Sequence, residues 1–219
     1  MIYIDSANIG EVIEICETGI ISGITTNPTL IKNMMKQRDV VIREINEERL
    51  SLVFIQLVGS TMEQMVEDYE LILDQFDDKV NRLVIKIPIN LEGLKTIKKI
   101  KENFPTQKIL GTAIYSASQA IVGIVSGCDY VAPYINRMEK LSIDPYIEIR
   151  TMREYIDDRG YTTEILGASY KTVDQVIKSL NAGVHSFTAS YEIITSMIDD
   201  KNAATAIIVF NLDGGQSNV

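Results

Sequence analysis

The sequence predicts a closed (β/α)8 barrel of the TIM type, and three observations lead there. Eight short runs rich in β-branched residues recur along the 219 residues, an amphipathic stretch follows each, and no linker rich in Pro, Gly or Ser interrupts them. Strands alternating with helices imply βαβ units and a parallel sheet. Eight units in this length suit a barrel better than an open sheet, because such barrels run to about 200–250 residues as one domain. Residues 1–219 are therefore read as one barrel domain, with 198–219 as a C-terminal helix and tail.

The strand runs, in order, are IYID (2–5), ISGITT (21–26), LVFIQLV (52–58), LVIKIPI (83–89), ILGTAIY (109–115), DYVAPY (129–134), TEILGAS (163–169) and HSFTA (185–189). Helical patterns lie near 9–18, 28–48, 61–76, 91–103, 116–126, 144–159, 172–181 and 190–210. Local punctuation supports them. Asn27 before Pro28 places a capping side chain ahead of a proline at the first helical position. Ser60 with Glu63 has capping-box spacing, and Asn90 opens another helix. Gly127 and Gly183 fall where helices should stop before the next strand.

Composition narrows the function classes. Hydrophobic residues make up 46% and charged residues 23%, a globular balance that excludes disorder and coiled coil. Apolar runs such as 52–58 are too short to cross a bilayer, and MIYIDSANIG lacks the pattern of a secretory signal. The net charge of −9 argues against nucleic acid and anionic membranes as partners, while leaving room for a local cationic pocket. Two cysteines, Cys16 and Cys128, make no disulfide framework, and both read as small buried hydrophobes in a reducing cytoplasm. The single histidine, His185, leaves no His-rich zinc site; it sits at a strand start and reads as structural.

Parallel barrels keep their chemistry at the carboxyl ends of the strands. Reading those ends gives Asp5, Thr25, Thr26, Asn27, Gln56, Lys86, Thr112, Tyr134, Arg137 just beyond, and Ser169. Singly, Asp5 and Asn27 read as helix caps and Thr112 as a β-former; a Gln56 amide inside an apolar strand needs partners. Collectively they deliver polar groups to one face. Lys86 stands between Ile85 and Ile87, so it shares a face with Val84. Either face of a barrel strand is apolar, and desolvation favours the neutral amine, a nucleophile toward carbonyls. The alternative is a lysine that snorkels outward or pairs with a carboxylate. Lys171, in ASYKT, competes for the same role with more polar flanks. Arg137 and the turn at 169–171 together offer donors for a phosphate.

Six segments carry a resemblance: ITTNPTLI (24–31), VIKIP (84–88), EGLKTIKKI (92–100), LGTAIYSASQA (110–120), DYVAPYINR (129–137) and GASYKT (167–172). Together they resemble the transaldolase family, and more narrowly its small-subunit fructose-6-phosphate aldolase group, in order from Asp5 to about Met197. The resemblance implies class I aldol chemistry on a sugar phosphate, with no metal or organic cofactor. It makes Lys86 the Schiff-base residue. Asp5, Asn27 and Thr26 would then meet substrate hydroxyls. Gln56, Thr112 and Tyr134 would hold a catalytic water, and Arg137 with Ser169 the phosphate. It also implies a homo-oligomer, pentamer or decamer, joined partly through a C-terminal helix. Transaldolases of the family carry glutamate at the position of Gln56 and typically phenylalanine at that of Tyr134, so this chain has the aldolase choice at both. It departs from the pattern at its end, where Gly214 follows Asp213 and NLDGGQSNV (211–219) reads as flexible.

Overall fold

The computed structural model describes residues 1–48, 50–76 and 82–215. Eight parallel strands close into a barrel in sequence order: β1 (Ile2–Asp5), β2 (Ile21–Thr25), β3 (Val53–Gln56), β4 (Leu83–Pro88), β5 (Lys108–Ile114), β6 (Tyr130–Pro133), β7 (Glu164–Gly167) and β8 (Ser186–Ala189). Closure is made by Ile2, Tyr3 and Ile4 of β1 pairing with Phe187, Thr188 and Ala189 of β8. Each predicted run contributes a strand, β8 included.

Helices wrap the strands: α1 (Ile9–Cys16), α2 (Pro28–Asn33), α3 (Arg38–Glu47), α4 (Met62–Leu73), α5 (Leu91–Asn103), α6 (Ala117–Val125), α7 (Ile135–Lys140), α8 (Pro145–Arg159), α9 (Val173–Ala182), α10 (Tyr191–Ile198) and α11 (Lys201–Asp213). Asn27 caps α2 through Thr29 N and Leu30 N, and Asn90 caps α5 through Gly93 N. Gly183 stops α9 at φ +114°, a left-handed geometry that glycine adopts without steric cost.

Five expectations need correction. The pattern at 28–48 is two helices, because Met35 turns left-handed at φ 54°. Ile31, Val41, Ile42 and Ile45 all bury apolar side chains at helical spacing across that break, so periodicity alone did not reveal it. The stretch 190–210 also splits, where Asp200 accepts from Asn202 N and Ala203 N and starts a new helix. The α4 cap is Thr61 with Gln64, one residue beyond the Ser60–Glu63 reading, and Gln64 Oε1 reaches back to Ser60 N. Residues 211–213 belong to α11 rather than to a flexible tail, and 216–219 lie outside the described residues. Asp5 caps no helix; Asn8 caps α1.

Strand alternation sorts the core into two compartments. Ile85 and Ile87 face the helices, within the large layer that includes Val53, Ile97 and Val131. Val84 faces inward with Tyr3, Phe54, Leu110, Tyr130 and Leu166, which plug the barrel. Within the plug, Phe54 meets Tyr3 and Tyr130 edge-on, with ring centroids 5.1 and 5.4 Å apart. At Gly93 the first turn of α5 presses on the end of β4: a Cβ there would lie 1.8 Å from the Pro88 carbonyl oxygen. Glycine alone lets α5 start that close to the strand that carries Lys86. Cys128 is buried, and burial pushes its thiol up to about 12, which disfavours the thiolate.

Candidate active site

The polar layer is generated by the strand repeat. Tyr3, Phe54, Leu110 and Leu166 come from alternate strands β1, β3, β5 and β7 and belong to the apolar plug. Two residues further along β1, β3 and β5, on the same face, stand Asp5, Gln56 and Thr112, while the matching position just beyond β7, Ala168, stays apolar. On β4 the same step leads from Val84 to Lys86. The barrel interior therefore changes from apolar to polar within one pleat, at the carboxyl ends of the strands.

Lys86 is 7% exposed, and its Nζ donates to the Thr26 carbonyl at 2.7 Å. Burial pulls its pKa below the ordinary lysine value, and the Asp5 carboxylate opposes part of that shift. A cleft of about 650 Å³ opens over it, walled by Asp5, Asn27, Gln56, Tyr134, Arg137 and Ser169 among others. Lys171 lines the same cleft but is exposed at its rim. The two lysines differ in solvation: Lys86 is buried, where the ammonium form is disfavoured, and Lys171 is exposed.

Thr112 is fully buried, and its hydroxyl shares a 2.7 Å hydrogen bond with the Tyr134 phenol. Just beyond Thr112 the β5–β6 register slips, and Ala113 takes φ +58°, strained for a non-glycine residue. Gln119 braces this bulge. Its amide donates to the Ala113 and Ile89 carbonyls, both at 3.0 Å, and accepts from Tyr115 N. The bulge ends β5 and brings Tyr115 edge-on to Tyr134, with centroids 5.7 Å apart.

On the opposite side the Thr25 hydroxyl donates to Asp5 at 2.8 Å. It also lies 2.6 Å from the Thr188 hydroxyl. With its only proton on Asp5, Thr25 must accept from Thr188, whose remaining lone pairs are left for the cleft. The Asn27 carbonyl oxygen is spent capping α2, which leaves its amide NH₂ for the cleft. Thr26 reaches Lys86 through its backbone; its own hydroxyl is buried without a partner.

Arg137 lies on α7, one turn past β6, with its guanidinium 4.6 Å from the Tyr134 ring centroid and a 3.4 Å hydrogen bond to the Tyr115 hydroxyl. Ser169 has φ +62°, and its carbonyl accepts from Asn136 N, tying the β7 loop to α7 beneath Arg137. Gln56 places its side chain in the cleft wall while its carbonyl is held by Arg38 at 2.9 Å. All nine predicted site residues thus gather at one end of the barrel. His185 lies at the other, accepting from Ile165 N through Nδ1 at 2.9 Å. Among the described residues no group of three or more His, Cys, Asp or Glu side chains forms a metal cage.

Residues 2–214 match the family described as Transaldolase/Fructose-6-phosphate aldolase. The chain belongs to that family. A relative named "Probable transaldolase" from Streptococcus equi subsp. zooepidemicus (strain MGCS10565) is 29% identical over 211 residues, 96% of each chain. One of the same name from Streptococcus pyogenes serotype M2 (strain MGAS10270) is 33% identical over 187 residues, covering 85% of this chain and 84% of its own. A third, from Ruegeria sp. (strain TM1040), is 29% identical over 197 residues, 90% of this chain and 88% of its own. Membership in the transaldolase/fructose-6-phosphate aldolase family makes the chain an enzyme of one or the other kind.

The structure adds cleft residues that the sequence reading passed over: Thr188, Asn136, Lys140 and Ser190. Thr188 was within reach, because it is the inward-facing position near the end of the weak HSFTA run. Asn136 and Lys140 lie on α7, a helix the hydrophobic pattern did not predict. No helix among the described residues is long and apolar enough to cross a membrane.

Proposed function

We propose that the protein is a class I aldolase that cleaves fructose 6-phosphate reversibly to dihydroxyacetone and glyceraldehyde 3-phosphate. What carries the reading is one amine: Lys86, buried over an apolar plug with its pKa lowered, at the floor of a cleft edged by hydroxyl, amide and guanidinium groups. Neutral Lys86 attacks the C2 carbonyl, water leaves, and the resulting iminium acts as the electron sink. Tyr134, directly or through a water held with Thr112 and Gln56, takes the proton of the C4 hydroxyl. The C3–C4 bond breaks to leave an enamine on Lys86, glyceraldehyde 3-phosphate departs, C3 takes up a proton to restore the iminium, and its hydrolysis frees dihydroxyacetone and the amine. Arg137 and Ser169 bind the phosphate, while Asp5, Asn27 and Thr26 orient the donor's hydroxyls.

In this proposal the chain works as one barrel domain without a cofactor, in the cytoplasm, as a pentamer or decamer. Support for assembly comes from α11, which buries none of its residues and exposes Ile207, Ile208, Val209, Phe210 and Leu212. A second reading, a transaldolase passing the dihydroxyacetone unit to erythrose 4-phosphate, is favoured by the names of the relatives. The Gln56 amide and the Tyr134 hydroxyl favour the aldolase, because both help water compete with an acceptor sugar for the bound intermediate. The test supplies fructose 6-phosphate with and without erythrose 4-phosphate. Dihydroxyacetone release that is largely independent of the acceptor fits the aldolase. Sedoheptulose 7-phosphate formation with negligible release when the acceptor is absent fits the transferase and overturns the first reading.

A further inference from the structure

Outside the cleft, one charged cluster grips the backbone of a cleft strand. Asp68, on α4, is 7% exposed. Arg38, the first residue of α3, meets both its carboxylate oxygens, Nη1 to Oδ1 and Nη2 to Oδ2, the latter at 3.0 Å. The same Nη2 donates to the Gln56 carbonyl at 2.9 Å, and Asp68 Oδ2 accepts from Val58 N at 2.9 Å. The pair therefore holds the chain on both sides of Leu57, whose own N–H is bound to the Lys86 carbonyl at 2.9 Å.

This is where β3 leaves the sheet. After Gln56 the ladder supplies no further partner for the strand carbonyl, and a buried carbonyl without one is costly. The guanidinium fork fills that need and fixes the direction in which the Gln56 peptide leaves the strand. Because a side chain is aimed by its own backbone, the fork also fixes where the Gln56 amide stands in the cleft.

We propose that Arg38, locked by Asp68, is a positioning residue for Gln56, acting on the reaction through that amide rather than on substrate. The inference rests on the aldol reading of the site, in which Gln56 helps hold the water. Arg38→Lys keeps the charge opposite Asp68 but loses the two-toothed geometry, so it is expected to release the Gln56 carbonyl while leaving Asp68 a cationic partner. Turnover of fructose 6-phosphate, measured with erythrose 4-phosphate present so that either activity registers, is expected to fall about tenfold in kcat with KM little changed. Borohydride trapping of dihydroxyacetone on Lys86 should stay at the wild-type level. In a Gln56→Ala background the same Arg38→Lys change should cost less than about twofold, since groups acting through one another are not additive. A paired apolar replacement, Arg38→Met with Asp68→Leu, supplies a second variant should the lysine fail to fold, and the same non-additivity is expected of it. A full loss that persists in the Gln56→Ala background, or a kcat that does not move, overturns the proposal. Absence of trapping on Lys86 in the wild-type protein would instead sink the aldol reading itself.

Discussion

The lower and upper halves of the barrel interior are built from the same strands, two residues apart, and behave as different media. Below, Tyr3, Phe54, Val84, Leu110 and Leu166 form a plug with no charged member. Above, Asp5, Gln56 and Lys86 line a cleft open to solvent, with Thr112 buried just behind its wall and bonded to Tyr134. The contrast explains the state of Lys86 better than either half does alone. The plug removes water from one side of the amine and disfavours the ammonium. The Thr26 carbonyl and the Asp5 carboxylate keep the polar head from being orphaned. A lysine one pleat lower would be intolerably desolvated, and Lys171, at the rim, is exposed to water.

Substitutions in the two halves should separate along this line. Lys86→Met removes the amine while keeping volume, and turnover is expected to fall by roughly 10⁴-fold or more. Its thermal midpoint should hold or rise, because an apolar side chain of similar volume replaces a poorly solvated polar head. Tyr134→Phe keeps the ring that packs against Tyr115 and Arg137 but deletes the hydroxyl bound to Thr112, and steady-state kinetics should show kcat lower by roughly 10²–10⁴-fold. Phe54→Ala works on the other half. It opens a cavity in the plug and should cost about 3–5 kcal/mol in chemical denaturation. Asp5→Asn gives the smallest effect and tests the electrostatics. The Asp5 charge raises the Lys86 pKa, so its removal should lower that pKa further. The amine then stays neutral to lower pH, and the acid limb of iminium formation should move to lower pH. A shift to higher pH would mean that Asp5 does not act on Lys86 through its charge.

Much of the fold was legible because its signals are local. Runs of β-branched residues, the Asn27-Pro28 and Asn90 starts and the Gly183 stop each depend on a few adjacent residues. The burial of Lys86 was legible for the same reason, since a lysine flanked by Ile85 and Ile87 has no comfortable exit, whereas its role came only with the family resemblance. The break between α2 and α3 was not, because the apolar spacing stays in phase across Met35. Nor was α7, a six-residue helix between Pro133 and the next capped helix, too short to show a period. The hydroxyl chain from Asp5 through Thr25 to Thr188, and the Arg38–Asp68 grip on Gln56, join residues that only closure of the barrel brings together. Such contacts leave no local pattern to read.

The most direct measurement is borohydride reduction in the presence of dihydroxyacetone at near-neutral pH, followed by peptide mass analysis. A buried amine whose pKa is lowered, at the polar end of the barrel, should yield one adduct, on the peptide that contains Lys86, and none in Lys86→Met. An adduct on Lys171, or none on any lysine, would contradict it.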